Sequence, residues 1–301
     1  MPELPEVEYT RRQLQRAMSG ARITRAVTRR GNLRYPFSDD FAERLGGQLV
    51  RGVSRRAKYL LVELASGDVL LMHLGMSGSF RVVRGRGAPK GAPYEHASGA
   101  PYEHASGAPY ELAPHESREQ YETHDHVVFE MSNGKTVVFN DPRRFGFMTI
   151  VPADEAAGHA TLARLGPEPL ARTFTAVALA QALSRRKTSL KIALSDQRVV
   201  AGLGNIYVSE ALHRARLSPK RRAATLVTRS GEPRPALFEL VTAIREVLKL
   251  AIRHQYRTGA DDPFLVYDHE GEPCPRRGCG GTIRRIVQGG RSTFYCPVCQ
   301  L

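Results

Sequence analysis

Three residues at the amino terminus carry groups that could take part in covalent catalysis, one as an amine nucleophile and two as carboxyl groups. Pro2 follows Met1, and removal of the methionine would leave a free secondary amine. Such an amine attacks an electrophilic carbon, for example C1′ of a sugar, and forms a charged iminium. Glu3 and Glu6 follow and provide carboxyl groups for proton transfer. The pattern alone is a weak signal, because acidic residues also stabilise the positive end of a helix dipole.

All four cysteines lie within the last 28 residues and have the spacing of a metal site. Cys274 and Cys279 form a C-x4-C pair, Cys296 and Cys299 form a C-x2-C pair, and sixteen residues separate the pairs. Four thiolates suit one tetrahedral Zn²⁺ and leave it no open position, which predicts a structural zinc rather than a catalytic one. Two disulfides or free thiols are the alternative.

A cationic β-hairpin is predicted between the cysteine pairs. Residues 282–287 and 292–295 have strand-like composition, and the turn sequence Gln-Gly-Gly at 288–290 separates them. Arg284, Arg285 and Arg291 give this hairpin its positive charge.

The net charge of +14 suggests a polyanionic partner. Nucleic acid is the first candidate and an acidic membrane surface the second. The alternative is that the basic surface serves only solubility and has no partner. The chain has no apolar run long enough to cross a bilayer. Its first residues lack the apolar core of a signal peptide, so we expect an intracellular, cytoplasmic protein.

The elements that must position these residues predict an α+β fold. A helix is expected over residues 5–19, and short β-rich runs separated by turn signals follow up to about residue 150, which indicates a two-sheet sandwich. The expected strands include residues 59–64, 69–73, 127–131 and 136–139. The following region is mainly helical, with helices expected over residues 189–199, 206–214 and 234–254.

These patterns divide the chain into three domains. We expect a helix plus β-sandwich over residues 1–152, a helical domain over 153–262 and a zinc hairpin over 263–301. An eight-residue repeat, GAPYEHAS, interrupts the first domain at about 85–123. Because each copy contains Gly and Pro and little to bury, a disordered surface loop is favoured over a solenoid. The histidines and tyrosines of the repeat could also bind metal or stack on bases.

A glycine-rich turn, residues 202–205, lies between two predicted helices. It lacks the third glycine and the preceding strand of a dinucleotide-binding loop. Two interpretations stay open. The turn could bring backbone N–H groups to a phosphate at a helix N-terminus, or it could close a helical hairpin without a ligand.

Several motifs follow one another along nearly the whole chain. They are MPELPEVE at 1–8, Lys58, HLGMSGSF at 73–80, HDHV at 124–127, NDPRRFG at 140–146, LGPEPL at 165–170, VVAGLGNIYVSEAL at 199–212 and the terminal zinc hairpin. In combination and in this order, these motifs closely resemble the formamidopyrimidine-DNA glycosylase family. The opening residues look closer to this family than to the related endonuclease eight family.

The resemblance implies a catalytic set of four residues. Pro2 matches the nucleophile, Glu3 the acid/base that assists sugar opening, and Glu6 an active-site carboxylate. Lys58 matches a lysine that contacts phosphate near the lesion. The implied activity is excision of oxidised or ring-opened bases from double-stranded DNA, followed by β,δ-elimination at the abasic site. No cofactor besides the zinc is implied, and we expect a monomer.

The resemblance also implies seven DNA-binding residues. Met76 fills the space left by the extruded base, Arg143 faces the orphaned base and Phe145 wedges the stack. Such side chains suit the family's need to flip a base out of the duplex. The remaining four match positions that grip phosphates: His73, Lys191, Asn205 and Arg291.

One departure from the family affects the expected substrate. Members specific for 8-oxoguanine carry a long loop that caps the flipped base, between the last helix and the zinc hairpin, and residues 254–272 are short here. We therefore expect preference for formamidopyrimidines, hydantoins or oxidised pyrimidines. Endonuclease eight-type specificity is one rival hypothesis. The other is a catalytically silent zinc-finger protein that binds DNA or its damage.

Overall fold

A computed structural model of the chain describes residues 2–84, 122–254 and 264–301. Three predictions concern residues outside these ranges: removal of Met1, disorder of the repeat at 85–123, of which only the last two residues are described, and the shortened segment 254–272, of which half is described. The described residues form two compact units. The first contains residues 10–54 and 60–153, and the second contains residues 2–9, 55–59 and 154–301.

The first unit contains two four-stranded sheets among the residues described, as predicted for a sandwich. One sheet has the strand order β1-β6-β7-β5 and the other β2-β3-β4-β8. The strands are β1 (Ile23–Thr28), β2 (Val50–Arg56), β3 (Tyr59–Leu64), β4 (Asp68–His73), β5 (Ser79–Arg84), β6 (Asp125–Met131), β7 (Lys135–Asn140) and β8 (Phe147–Pro152).

The strand sequences explain the burial of these sheets. Strand β6 is buried at six of its seven positions, and these include Asp125 and His126 as well as four apolar residues. Strands β5 and β7 pair in an antiparallel register that places Phe80 opposite Phe139, and these rings pack 5.0 Å apart. Strand β4 ends at His73 and strand β8 begins at Phe147, so this pair delivers two loops of the HLGMSG and NDPRRFG motifs to one end of its sheet.

The helices belong mostly to the second unit. Helix α1 begins among residues of the second unit and continues into residues of the first. The helices are α1 (Leu4–Met18), α2 (Phe41–Leu45), α3 (Ala153–Ala156), α4 (Ala176–Leu183), α5 (Leu190–Ser195), α6 (Asn205–Arg214) and α7 (Pro235–His254). No helix in the described ranges is long and apolar enough to cross a membrane.

The core of the second unit is built on helix α7, which spans twenty residues. Its buried positions recur every three or four residues, as in an amphipathic helix: Leu237, Leu240, Val241, Ile244, Val247, Leu248 and Ala251. Helix α6 packs on this stripe with Val208 and Leu212, and Leu4 of α1 joins the same cluster.

The predicted helix over 189–199 is too long. Helix α5 ends at Ser195, because Asp196 adopts an extended ψ of 117° and its carboxylate accepts the N–H of Arg198. Aspartate side chains compete in this way with helical hydrogen bonds. Gln197 then fixes the following turn, accepting the N–H of Gly202 and donating to the carbonyl of Leu203.

The predicted carboxy-terminal hairpin is confirmed, with slightly different ends. Strands β9 (Arg284–Gln288) and β10 (Arg291–Tyr295) pair antiparallel and leave Gly289-Gly290 as a two-residue turn. Gln288 therefore belongs to a strand rather than to the turn. Lys191 and Gln288 connect the hairpin to helix α5, since Nζ of Lys191 lies 3.4 Å from the Gln288 carbonyl oxygen.

Candidate active site

The carboxyl group of Glu3 is buried in the second unit beside the start of helix α6. Only 3% of Glu3 is exposed, and its Oε1 accepts the N–H of Ile206 at 3.0 Å. Its Oε2 is buried and has no hydrogen-bond partner among the described residues. Burial raises the pKa of Glu3, while Lys58 lowers it and Glu6 raises it further. The carboxyl group therefore holds a proton more tightly than a solvated glutamate does.

The glycine-rich turn provides the space that Glu3 occupies. A Cβ built on Gly204 would lie 2.2 Å from Cδ of Glu3 and 2.4 Å from its Oε1. The backbone N–H of Leu4 also donates to the carbonyl of Gly202. Of the two interpretations left open, the structure therefore assigns Gly204 a further role: it admits a carboxyl group to the N-terminus of α6.

Glu6 bridges the amino-terminal segment and helix α6. Its Oε2 accepts the N–H of Glu3 at 2.8 Å, and its Oε1 accepts a short hydrogen bond from the hydroxyl of Tyr207. Burial, together with the negative charge of Glu6, raises the pKa of Tyr207 well above its usual value. Tyr207 therefore stays a neutral donor that orients Glu6. Pro2 is half-buried and immediately precedes this network.

Lys58 lies in a turn that a single carboxylate holds in place. Glu168 accepts hydrogen bonds from the guanidinium groups of Arg55 and Arg56 and from the N–H of Ala57. Ala57 has a φ of 53°, which is unusual for a residue with a side chain. Lys58, the next residue, is only 5% exposed. Glu168 thus stabilises an unfavourable backbone conformation that buries the lysine.

Three cations lie close together in this unit. Burial lowers the pKa of Lys58 and of Lys191, and the positive charge of Arg291 lowers both further. Lys191 is 2% exposed, whereas Arg291 is exposed at the hairpin. Asn205 donates to the carbonyl of Ser292 at 2.8 Å and so holds the adjacent strand. Mutually repelling cations beside a helix N-terminus form a site suited to a phosphate.

Four further predicted DNA-binding residues, His73, Met76, Arg143 and Phe145, belong to the first unit. They lie in two loops or at the end of the strand that leads into one of them. Met76 and Phe145 are each 43% exposed although they are large and apolar. The guanidinium carbon of Arg143 lies 4.8 Å from the centre of the Phe145 ring. His73 stacks on Phe147, and its Nδ1 accepts the N–H of Gly75. Met76, Arg143 and Phe145 are therefore exposed at the surface of the described residues.

The four cysteines form the predicted metal site. Their Sγ atoms all lie within 4.8 Å of one another, with 3.8 Å between Cys274 and Cys299 and 3.5 Å between Cys279 and Cys296. Zn–S bonds of about 2.3 Å in a tetrahedron place the sulfurs about 3.8 Å apart, so the four thiolates fit one zinc ion. The distances exclude two disulfides. The zinc is structural, and it holds the base of the hairpin that carries Arg291.

Sequence reasoning missed four polar residues, of which Glu168 is half-buried and the other three are buried: Tyr207, Asp141 and Glu210. The carboxylate of Glu210 accepts the N–H groups of Leu265, Val266 and Tyr267, and so anchors the chain leading to the zinc site. All four residues lie within the motifs quoted above, which was the available signal. Most of their partners are distant in sequence, so no local pattern identifies their roles.

Comparisons with known proteins agree with this architecture. Family models match in order: the formamidopyrimidine-DNA glycosylase N-terminal domain over residues 1–148, the H2TH domain of that family over 165–261, and a zinc finger found in formamidopyrimidine-DNA glycosylase and isoleucyl-tRNA synthetase over 271–301.

Among curated relatives, formamidopyrimidine-DNA glycosylase of Rhodopseudomonas palustris is 54% identical, with 100% of both chains covered. Two solved structures of the Lactococcus lactis enzyme, one bound to DNA with an AP site and one to DNA with Fapy-dG, are each 28% identical and cover 99% of both chains. Both structures have a TM-score of 0.78. The chain therefore belongs to the formamidopyrimidine-DNA glycosylase family of DNA repair enzymes.

Proposed function

We propose that this DNA repair glycosylase is bifunctional, and that it excises a damaged base and then cleaves the strand through an iminium formed on Pro2. The observation that carries the proposal is the environment of Glu3. A buried carboxyl group with a raised pKa directly follows the proposed nucleophile and interacts with the positive charges of Lys58 and Lys191. A protonated carboxyl group is the form needed for a general acid.

In the proposed mechanism, Pro2, Glu3 and Glu6 have separate roles. The Pro2 nitrogen attacks C1′, the glycosidic bond breaks, and the base leaves with the proton that the Pro2 nitrogen loses. The C1′–O4′ bond then opens, Glu3 protonates the sugar oxygen, and the electron pair of nitrogen forms the C1′ iminium. The iminium acidifies the protons on C2′, and loss of one of them expels the 3′ phosphate. A further elimination expels the 5′ phosphate, and water releases Pro2. Glu6 holds the N–H of Glu3 and so orients the carboxyl group.

We assign the cation cluster to the phosphates that flank the lesion. Lys58, Lys191 and Arg291 would neutralise phosphate charge, and Asn205 holds the hairpin that carries the arginine. We propose that Met76, Arg143 and Phe145 enter the duplex and fill the space that the extruded base leaves. Their exposure supports this assignment, because apolar side chains of this size are usually buried.

We propose a preference for formamidopyrimidines, hydantoins or oxidised pyrimidines over 8-oxoguanine. The support is the short sequence between helix α7 and the zinc site, which leaves little chain to cap a flipped purine. The complex of the Lactococcus lactis relative with Fapy-dG DNA agrees with the first of these substrates. We also propose that the protein acts as a monomer on double-stranded DNA in the bacterial nucleoid. The order of the family matches supports three domains near residues 1–152, 153–262 and 263–301.

Borohydride trapping on a panel of duplexes tests the chemistry and the substrate together. The duplexes carry 8-oxoguanine, a formamidopyrimidine, thymine glycol or an abasic site, and the Pro2→Gly and Glu3→Gln variants serve as controls. We expect a covalent adduct that both variants lose, with 8-oxoguanine giving less adduct than the formamidopyrimidine. Absence of an adduct on every duplex, from protein that binds DNA and lacks Met1, would leave a silent zinc-finger binding protein.

A further inference from the structure

Two loops of the first unit carry the side chains assigned to the duplex. The first loop, residues 74–78, presents Met76, and the second, residues 141–146, presents Arg143 and Phe145. We call them the wedge loops. Large exposed side chains on separate loops would lose conformational freedom on entering DNA, unless the loops were already fixed. The hydrogen bonds of the wedge loops show how they are fixed.

Asp141 is the buried centre that joins the wedge loops. It has no exposed surface. Its Oδ1 accepts the hydroxyl of Ser77 at 2.6 Å, and its Oδ2 accepts the N–H of Gly146 at 2.8 Å. Its carbonyl oxygen accepts the N–H of Arg144 and lies 3.0 Å from Nε2 of His126. One carboxylate therefore closes the second loop on itself and holds the first loop against it.

Ser77 completes the connection. Its hydroxyl donates to Asp141 and accepts the backbone N–H of Arg143 at 3.1 Å. Ser77 directly follows Met76 in the chain. Its hydroxyl therefore connects the loop that carries Met76 to the backbone of Arg143. Hydrogen bonds to a charged acceptor of this kind are shorter and stronger than those between neutral groups.

Backbone packing fixes the same two loops. A Cβ built on Gly75 would lie 2.3 Å from the carbonyl carbon of Phe145 and 2.4 Å from the nitrogen of Gly146. Gly75 also has a φ of 66°, which favours glycine. The backbones of the wedge loops therefore touch, while Met76 and Phe145 remain 43% exposed.

We propose that Asp141 and Ser77 are positioning residues for base extrusion, which pre-organise Met76, Arg143 and Phe145 as one rigid wedge. The inference rests on the proposed function and deepens it. Asp141 and Ser77 contact neither the sugar nor the base. They act by lowering the cost of inserting the wedge, so their loss affects steps that need extrusion more than the elimination chemistry.

The test compares substrates that differ in their need for extrusion. Ser77→Ala removes the bridging hydroxyl, and Ser77→Thr restores a hydroxyl at the same place. Ser66→Ala is a matched control, because Ser66 makes the same serine–aspartate pair with Asp68 at the other end of strand β4. Single-turnover excision from a lesion duplex is measured beside cleavage of a single-stranded abasic oligonucleotide. Fluorescence of 2-aminopurine opposite the lesion reports wedge insertion directly.

We expect Ser77→Ala to slow excision and the fluorescence change by about tenfold, the effect of one hydrogen bond, and to leave cleavage of the single-stranded substrate within about twofold. Ser77→Thr and Ser66→Ala should match the parent protein, and the thermal midpoints should be similar. Equal losses on both substrates, or a normal fluorescence change in Ser77→Ala while Met76→Ala loses it, would overturn the inference. If the parent protein cleaves neither substrate, the proposed function itself fails.

Discussion

The most direct test of the site geometry is the substitution Gly204→Ala. The backbone at Gly204 is extended, with φ −137° and ψ −161°, so alanine is accepted without backbone strain. The new methyl group would, however, lie 2.2 Å from Cδ of Glu3. Carbon atoms in contact prefer about 3.5 Å, so the carboxyl group must move by about 1.3 Å. The perturbation therefore falls on Glu3, the group that we propose as the general acid.

The size of the effect follows from that displacement. A shift of about 1 Å in a catalytic group costs about a hundredfold in rate. This corresponds to about 2.7 kcal/mol of transition-state stabilisation. The moved carboxyl group would also lose the N–H of Ile206, which now lies 3.0 Å from its Oε1. DNA affinity should change little, because the cations that we assign to the phosphates are untouched.

The assay is single-turnover trapping on a formamidopyrimidine duplex, with DNA affinity measured in parallel. Gly158→Ala is the matched control, because its Cβ would meet only the Glu155 carbonyl oxygen, at an ordinary 3.5 Å. In a Glu3→Ala background, Gly204→Ala should cost almost nothing, since the clash is gone. Equal rates in Gly204→Ala and the parent, or a full loss that persists in the Glu3→Ala background, would refute the reasoning.

Four further predictions follow from other contacts. Glu168→Gln should slow trapping about tenfold and lower the thermal midpoint, because two guanidinium groups and the Ala57 turn lose their carboxylate; unchanged kinetics would contradict this. Because burial raises the pKa of Glu3 above its usual 4.5, Glu3→Gln should increase the free energy of unfolding at neutral pH. That gain should vanish as the pH falls towards 4.5, which urea titrations at several pH values would detect. Chelation should release one zinc per chain, measured by metal analysis. It should also weaken DNA binding, because the hairpin loses the metal that holds its two ends together; tight binding by metal-free protein would argue against this. Arg291→Ala should weaken binding to all sequences and reduce the slope of log K against log salt by about 1; an unchanged slope would remove Arg291 from the phosphate site.

The regular elements were predictable because their sequences carry the required periodicity. Strand β3 has the predicted bounds, residues 59–64, and helix α1 differs from its prediction by one residue at each end. Helix α5 was predicted too long because the side chain of Asp196 takes over the helical hydrogen bonds, which an apolar pattern does not reveal. The zinc site was predictable from cysteine spacing alone.

The site was predictable only in part. The residue types at Pro2 and Glu3 indicate their chemistry, and the resemblance extends it to the DNA-binding residues. The supporting residues were not predictable, because each acts across a long sequence separation. Asp141 meets Ser77 across 64 residues and Glu168 meets Ala57 across 111. The role of the glycine turn depends on the three-dimensional structure, which places the Glu3 carboxyl group against Gly204.

The central claim is that Pro2 forms the covalent bond to the sugar, and peptide mapping of the trapped adduct tests it most directly. The borohydride-reduced complex is digested with protease and nuclease, and tandem mass spectrometry locates the sugar remnant. The account predicts the remnant on the amino-terminal nitrogen of Pro2. A remnant on Lys58 or Lys191 would contradict it, because the nucleophile would then be one of the lysines that we assign to phosphate.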